Sequence, residues 1–506
     1  MKVLERDKHG WLGWTGALAV VAAAVLLRLY GLGRWSFGPR EFDSLVDRIA
    51  AWKVRADIGW WTRPLDPALW LDRLVFFPEL RQARRVIVPD LELWTRLPAA
   101  IAGILAVVLI LTWGRRRLGI GIGTCSAALV AVSPLLIFFS QLATHHSLAF
   151  FASTICLVGF SEILEKGGWR WAIVVAVSWF VAASASPSAY LLLALITLSA
   201  LAWYLRESDK RRLKPLIAAA AMIGSFVLAS RIVQGQVGAL TWLSTANQVF
   251  SRPELGLGEL LAWVRSSIGL PVVLLSIAVV PSLFGGLRPS RWWIPIGVGF
   301  GLVLLLVGPL ALRVPVEGMP CVLAPVFLAA GAGLSRILGW LHRAHPLLSF
   351  SFGLVVVLLN APDWASYYRD GNRYDFREVV SRVRELESEL EEKRPPEQRD
   401  PDRYTYSSDE PRVARYYLQR PGKEPQVFSI SQLGQLVNGP KRLRGTQHWV
   451  ILTSAGAERL KQQRPRLLRW IHEHCWKHGE IRSGRFDHWS FSVEIYRGLR
   501  PVSGER

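Results

Sequence analysis

The chain has 506 residues, a formal net charge of +21, 51% hydrophobic residues and 23 Trp, and a mean hydropathy of +0.25 that is high for a soluble protein. Trp in such numbers suits membrane interfaces. The charge does not point to nucleic acid, because Lys and Arg collect in short loops between apolar runs and no zinc-finger or RNA-binding signature is present; anionic lipid is the partner it suits.

In chain order, "MKVLERDKHG" followed by "WLGWTGALAVVAAAVLLRLYGLG" has the layout of a signal peptide. Its apolar run is too long and shows no small-x-small cleavage site, so it reads as a retained first transmembrane helix. A helix needs about 20 apolar residues to cross a bilayer. About eleven stretches qualify, near 11–31, 97–114, 119–139, 146–164, 170–186, 188–205, 215–233, 267–287, 292–312, 319–338 and 346–362. The predicted fold class is a polytopic α-helical membrane protein. With the N-terminus inside, each inner segment is basic: Lys2, Arg6 and Lys8, then Arg115 to Arg117, Lys166 with Arg170, Arg206 to Lys214, Arg288 with Arg291, and Arg336 with Arg343. The short outer turns at 140–145 and 187 carry no Lys or Arg. The positive-inside rule therefore places the N-terminus in the cytoplasm and the C-terminal region outside, in an inner-membrane protein.

The first outer segment, 32–96, opens with "RWSFGPREFDSLVDR" at 34–48. It sets Arg40, Glu41, Asp43 and Asp47 beside the membrane. Leu45, Ile49 and Trp52 then recur at helical spacing, an amphipathic helix lying on the bilayer. A second interfacial helix starts at "LDPALWLDRLVFF", with Asp66 as N-cap and Pro67 at the first helical position; Trp70, Leu74 and Phe77 share its face. The chain divides into a membrane domain, 1–362, and a small extracytoplasmic α/β domain, 363–506. In the latter, "DFREVVSRVRELESELEEK" carries Asp375 and Glu378 at capping-box spacing and a stripe of Phe376, Val379, Val383, Leu386 and Leu390. "RPPEQRDPDR" is a loop. "PQVFSI", "HWVILTS" and "WSFSVEIY" read as strands separated by helical segments.

Four Cys are too few for a disulfide framework. Cys125, Cys156 and Cys321 fall in apolar runs as small core residues, and Cys475 stands in a polar region. "HEHCWKHG" offers His474 and His478 at i, i+4 on a helix, a spacing that suits a metal but lacks a strict motif. The glycines of 119–123 serve helix packing, since no strand precedes them as a nucleotide loop would need.

Three stretches carry a family resemblance. "LLRLYGLGRWSFGPREFDSLVDR", "DLELWTRLPAAIAGILAVVLILTWGRRRLG" and "VSPLLIFFSQLATHHSLAFFAS" resemble, in order and spacing over about residues 22–160, bacterial glycosyltransferases of GT-C fold, themselves similar to dolichyl-phosphate-mannose protein mannosyltransferases. The resemblance implies a GT-C-like membrane domain that transfers a sugar from a polyprenyl-phosphate donor to a glycan, lipid or protein acceptor. In that pattern Glu41 keeps the family's Glu, Ser44 its Ser/Thr, and Ser140 and Gln141 persist. The departures are Arg40 at the catalytic Asp position, Thr144 at an Arg, His146 at a Tyr, and Asp66 at a His.

Such chemistry needs a carboxylate that takes the acceptor hydroxyl's proton and a cation beside the leaving phosphate. Glu41, the aligned survivor, and Asp43, the nearest Asp, are the catalytic candidates; as the blander alternative both are first-turn acids of the 44–58 helix. Arg40, Asp66, Arg96, Gln141, His145, His146 and Arg313 are the substrate-binding candidates. Against that, Asp66 is a helix cap, Arg40 pairs with a neighbouring acid, Arg96 is a snorkelling anchor, and His145 and His146 are an interfacial pair. Arg28 lies in the first apolar run near its outer end, where it can snorkel. No resident metal or other cofactor is called for, and a divalent metal is left open. Two other readings fit the same sequence: an inactive relative that binds glycan or protein, and a lipid-linked glycan transporter, although transport sites favour mid-membrane charges.

Overall fold

The computed structural model describes residues 10–32, 91–142, 145–186, 188–206, 213–234, 270–286, 291–307, 320–359, 376–398, 404–419, 425–433, 447–486 and 489–497. These fall into two compact units, an all-helical one up to Leu359 and an α/β one from Phe376. The predicted interfacial helix at 44–58, the second one starting at Asp66, and Asp375 of the capping box lie outside the described residues.

A helix forms inside each apolar stretch of the first unit. In chain order these are α1 (Gly10–Leu29), α2 (Leu91–Arg117), α3 (Ile120–Val132), α4 (Pro134–Ser140), α5 (His146–Lys166), α6 (Trp169–Ala185), α7 (Ala189–Arg206), α8 (Leu213–Gln234), α9 (Leu270–Gly286), α10 (Trp293–Val307), α11 (Ala324–Ala344), preceded by a 3-10 turn at Pro320–Val322, and α12 (Pro346–Leu358). Among the described residues four helices are long and apolar enough to cross a bilayer alone, and a fifth span results if α3 and α4 are joined. The other stretches carry shorter apolar helices. Large apolar side chains stay exposed around the bundle, among them Trp14, Leu18, Ile173, Leu205, Ile217, Trp340 and Phe350. Apolar surface on that scale belongs against lipid.

The predicted span at 119–139 is bent. The helix breaks at Ser133 and its second half is bent by 62° from the first. Pro134 explains it: proline has no N–H to continue the ladder, and its ring clashes with the carbonyl four residues earlier. Gly103 of α2 lets Ser140 and Arg28 approach below the elbow. A Cβ there would overlap Ser140 Oγ and stand 2.8 Å from Arg28 Nε. On the other side of α3, a Cβ on Gly114 would lie 2.8 Å from Gly123 Cα, so the α2–α3 seam is backbone on backbone, a small-residue contact typical of membrane helices.

The second unit holds α13 (Phe376–Glu392), β1 (Tyr404–Ser408), α14 (Pro411–Leu418), β2 (Val427–Ser429), β3 (Gln447–Thr453), α15 (Ser454–Gln463), α16 (Pro465–His474), β4 (Trp476–Phe486) and β5 (Trp489–Arg497). The strands form one mixed sheet in the order β2-β1-β3-β5-β4. β1 is parallel to β2 and β3, with Tyr406 opposite both Val427 and Trp449; β3–β5 and β5–β4 are antiparallel, with Ile451 opposite Ile495. Under one face Val450, Leu452, Ile471, Leu433 and Tyr496 form a core with Cys475. Cys475 is therefore a buried core residue, not the isolated polar-region thiol the sequence suggested. The helix proposed across "HEHCWKHG" also stops short: α16 ends at His474 and β4 begins at Trp476. His474 and His478 do not share a helical face, and among the described residues no His, Cys, Asp and Glu cluster could hold a metal.

Candidate functional site

Contacts define two ends of the helical unit. One end gathers Arg115 stacked over Trp14 at 5.0 Å, Arg206 over Trp292 at 4.7 Å, and an ion-pair network. There Arg117 pairs with Glu162 and, at 2.9 Å, with Glu165. Lys166 reaches Glu162 at 2.7 Å and Arg291 reaches Glu165 at 2.6 Å. Arg291 also donates to the Arg117 carbonyl. The network ties the ends of α2 and α5 to the start of α10. Both carboxylates are buried, with side chains 5% and 8% exposed.

The other end is built around the exit of α1. A helix terminus leaves its last carbonyls without partners, which in a membrane must be satisfied internally. Gln141, just past α4, donates Nε2–H to Leu27 O at 2.9 Å and to Tyr30 O at 3.1 Å. Arg96 of α2 donates to Leu32 O at 3.0 Å. Both side chains are buried. Ser140 donates to Leu136 O and lies 3.1 Å from the hydroxyl of Ser147 on α5. His146, the first residue of α5, packs its ring on Phe139 at 4.8 Å, and its Nδ1 is buried with no hydrogen-bond partner among the described residues. His145 sits at the N-cap, its carbonyl accepting from Ala149 N. The structure thus brings together Arg96, Gln141, His145 and His146 of the predicted residues. Arg40, Glu41, Asp43, Asp66 and Arg313 lie outside the described residues.

Arg28 does not snorkel. It is fully buried and donates to Val130 O at 2.9 Å and Ala131 O at 3.0 Å. Those are carbonyls that the break at Pro134 leaves without a following N–H. A charged fork suits the task, since one guanidinium can serve two acceptors at once. The sequence reading found the Arg and missed its partner. The available signal was Pro134 inside an apolar run, with a buried cation elsewhere to satisfy what it freed.

In the α/β unit, Asp409 follows β1 and is held by Thr453 at the end of β3, from its backbone N at 2.9 Å and its hydroxyl at 2.5 Å. The same hydroxyl accepts from Gly456 N and caps α15. Burial pushes the Asp409 carboxyl up, and the bonds from Thr453 only partly offset it. His448 bridges Thr405 at 2.7 Å and Ser407 at 2.9 Å inside the sheet, and burial lowers its pKa to about 4. Neither residue was singled out from the sequence, because each is a single polar position whose partners come from another strand.

The architecture is that of a polytopic helical membrane protein. The solved structures it is similar to include ArnT from Cupriavidus metallidurans bound to undecaprenyl phosphate, at 12% identity and TM-score 0.53, covering 98% of this chain and 100% of that one. The apo state of the same protein gives 12% identity, a TM-score of 0.53 and cover of 98% and 99%. An Archaeoglobus fulgidus oligosaccharyltransferase complex with Zn and sulfate is less similar, at 12% identity and TM-score 0.47, covering 83% of this chain and 63% of that one. No family model matches the chain, and no curated protein matches it.

Proposed function

We propose that the chain is an integral membrane glycosyltransferase that moves a sugar from a polyprenyl-phosphate donor to a glycan, lipid or protein acceptor on the outer face of the inner membrane. The observation that supports it most is the fold shared over 98% of the chain with ArnT, a protein crystallised bound to undecaprenyl phosphate. In this reading the acceptor oxygen attacks the anomeric carbon, the sugar–phosphate bond breaks, and the lipid phosphate leaves with the electron pair. Glu41 or Asp43 takes the acceptor's proton. Arg40, Arg96 and Arg313 offer positive charge to the leaving phosphate. Asp66, His145 and His146 contact sugar or phosphate. The end with the ion-pair network faces the cytoplasm, because its loops are the basic ones.

A second reading, an inactive relative that binds glycan or a partner protein, draws support from Arg40 standing where the family pattern has its Asp. Transfer from radiolabelled polyprenyl-phosphate sugars by the purified protein separates the two. The expected result is turnover in the wild type and a loss of at least about 100-fold in Glu41→Gln or Asp43→Asn, the scale of a missing general base. Tight donor binding with no turnover in the wild type sinks the enzyme and leaves the binder.

A further inference from the structure

Among the described residues of the α/β unit, one large apolar side chain is left exposed: Trp476, 45% open at the start of edge strand β4. The sheet orders its surroundings. Arg497 of β5 stands directly opposite Trp476 on one side and Trp449 of β3 on the other. Residues paired across strands share a face, so the three form a row: buried indole, guanidinium, exposed indole. Arg497 lies over the Trp449 ring at 6.0 Å, a cation–π distance. His478 falls where the β4–β5 register shifts, between Lys477 and Gly479. A bulge of this kind re-aims a side chain, and the His478 ring meets Trp449 edge-on at 5.7 Å. His478 therefore joins the face that carries Trp449, Arg497 and Trp476. The field on this face is positive. Burial lowers the pKa of Arg497 and Arg394 adds to the effect, with Tyr404 opposing. Burial likewise lowers that of His478, followed by Arg497 and Arg382, with Glu389 opposing. Arg382 and Arg394 pair with Glu385 and Glu391 of α13, so Arg497, central in the row, is the cation placed to meet an incoming anion.

We propose that Trp476, Arg497 and His478 form a binding site on the α/β unit for an acidic sugar, a hexose ring that bears a carboxylate. The exposed indole takes the apolar C–H face of the ring, as aromatic side chains with one wet side do. The flat guanidinium donates to the carboxylate with matching geometry, and the imidazole bonds a ring hydroxyl. The site goes beyond the transferase reading, because binding is measured without turnover. A chain that transfers no sugar and still binds keeps the site; a transferase that does not bind lacks it.

The test titrates the full-length protein, in a detergent without a sugar headgroup, with cellobiouronic acid and with cellobiose, which differ by a single carboxylate. Saturation-transfer NMR reads the Kd of each. The wild type should bind the acidic disaccharide about tenfold more tightly than the neutral one, the scale of one hydrogen bond to a charged group. Trp476→Ala should weaken both about tenfold, the scale of a lost aromatic contact, while Trp476→Phe stays within about threefold of the wild type. Arg497→Gln should abolish the preference for the acid. Trp476 is exposed, so its variants leave the core under the sheet untouched and keep the test readable if Arg497→Gln fails to fold. No binding by the wild type, equal Kd for the two disaccharides, or wild-type affinity in Trp476→Ala overturns the proposal.

Discussion

A buried neutral imidazole weakens the α/β unit in acid. His448 is enclosed between Thr405 and Ser407, and its pKa falls from an ordinary 6.5 to about 4. In the unfolded chain the ring binds its proton near pH 6.5, so the native state is at full advantage above that and loses it as pH falls towards about 4. The loss is about 3 kcal/mol, since each tenfold drop in proton affinity is worth about 1.4 kcal/mol. Asp409 runs the other way, because its carboxyl is pushed up and takes its proton earlier in the native state. The thermal midpoint of the α/β unit in the full chain, scored by limited proteolysis, should drop by several degrees from pH 7 to pH 4.5, and His448→Gln should flatten that drop. An unchanged midpoint in the wild type would contradict the burial argument. At this scale the sequence was legible only where chemistry is local. Arg28, a cation in an apolar run, drew the eye, but its acceptors lie 102 and 103 positions away.

At the scale of elements, packing turns on residues without side chains. A Cβ on Gly331 of α11 would stand 2.5 Å from Ser126 N and 2.6 Å from Ser126 Cα, both backbone atoms of α3, whereas one on Gly16 of α1 would meet nothing within 4 Å. Gly331→Ala should therefore push α3 from α11 and cost about 1–3 kcal/mol, as overpacking does. Gly16→Ala should leave stability unchanged or slightly raised, since alanine is the better helix former. Thermal melting in detergent by tryptophan fluorescence compares them, and equal midpoints would refute the close approach. The helices were readable because hydropathy reports burial in lipid directly. β2, β3 and β5 were readable from β-branched and aromatic runs. β1 escaped because all five of its residues are buried, which removes the alternation that marks a half-exposed strand. β4 escaped because "WKHGEIRSGRF" is an edge strand with charge and glycine, the composition edges use to avoid stray pairing.

For the whole molecule, the two ends of the bundle are built differently. One is cross-linked by carboxylates: Glu165 alone joins Arg117 at 2.9 Å and Arg291 at 2.6 Å. The other is held by donors on backbone carbonyls. Glu165→Gln removes the carboxylate of Arg291 while Arg117 keeps Glu162, and should destabilise the bundle by about 3 kcal/mol, read as a lower melting temperature. A transporter that opened both ends in turn would instead respond with faster counterflow of lipid-linked sugar into vesicles, an outcome that would count against a transferase. The many-helix membrane architecture was visible in the spacing of the apolar runs along the chain. Which polar residues meet substrate was not visible, since Gln141 satisfies two carbonyls with the same amide that could have met a sugar.

The buried guanidinium of α1 also carries a consequence for biogenesis. Ribosomes deliver the first helix to the translocon long before the elbow whose carbonyls will neutralise Arg28's hydrogen-bonding demand exists. Until then the nascent segment carries a cation near its outer end whose guanidinium must reach the interface for partners. Its burial within the bundle therefore waits for α3 and α4 to arrive.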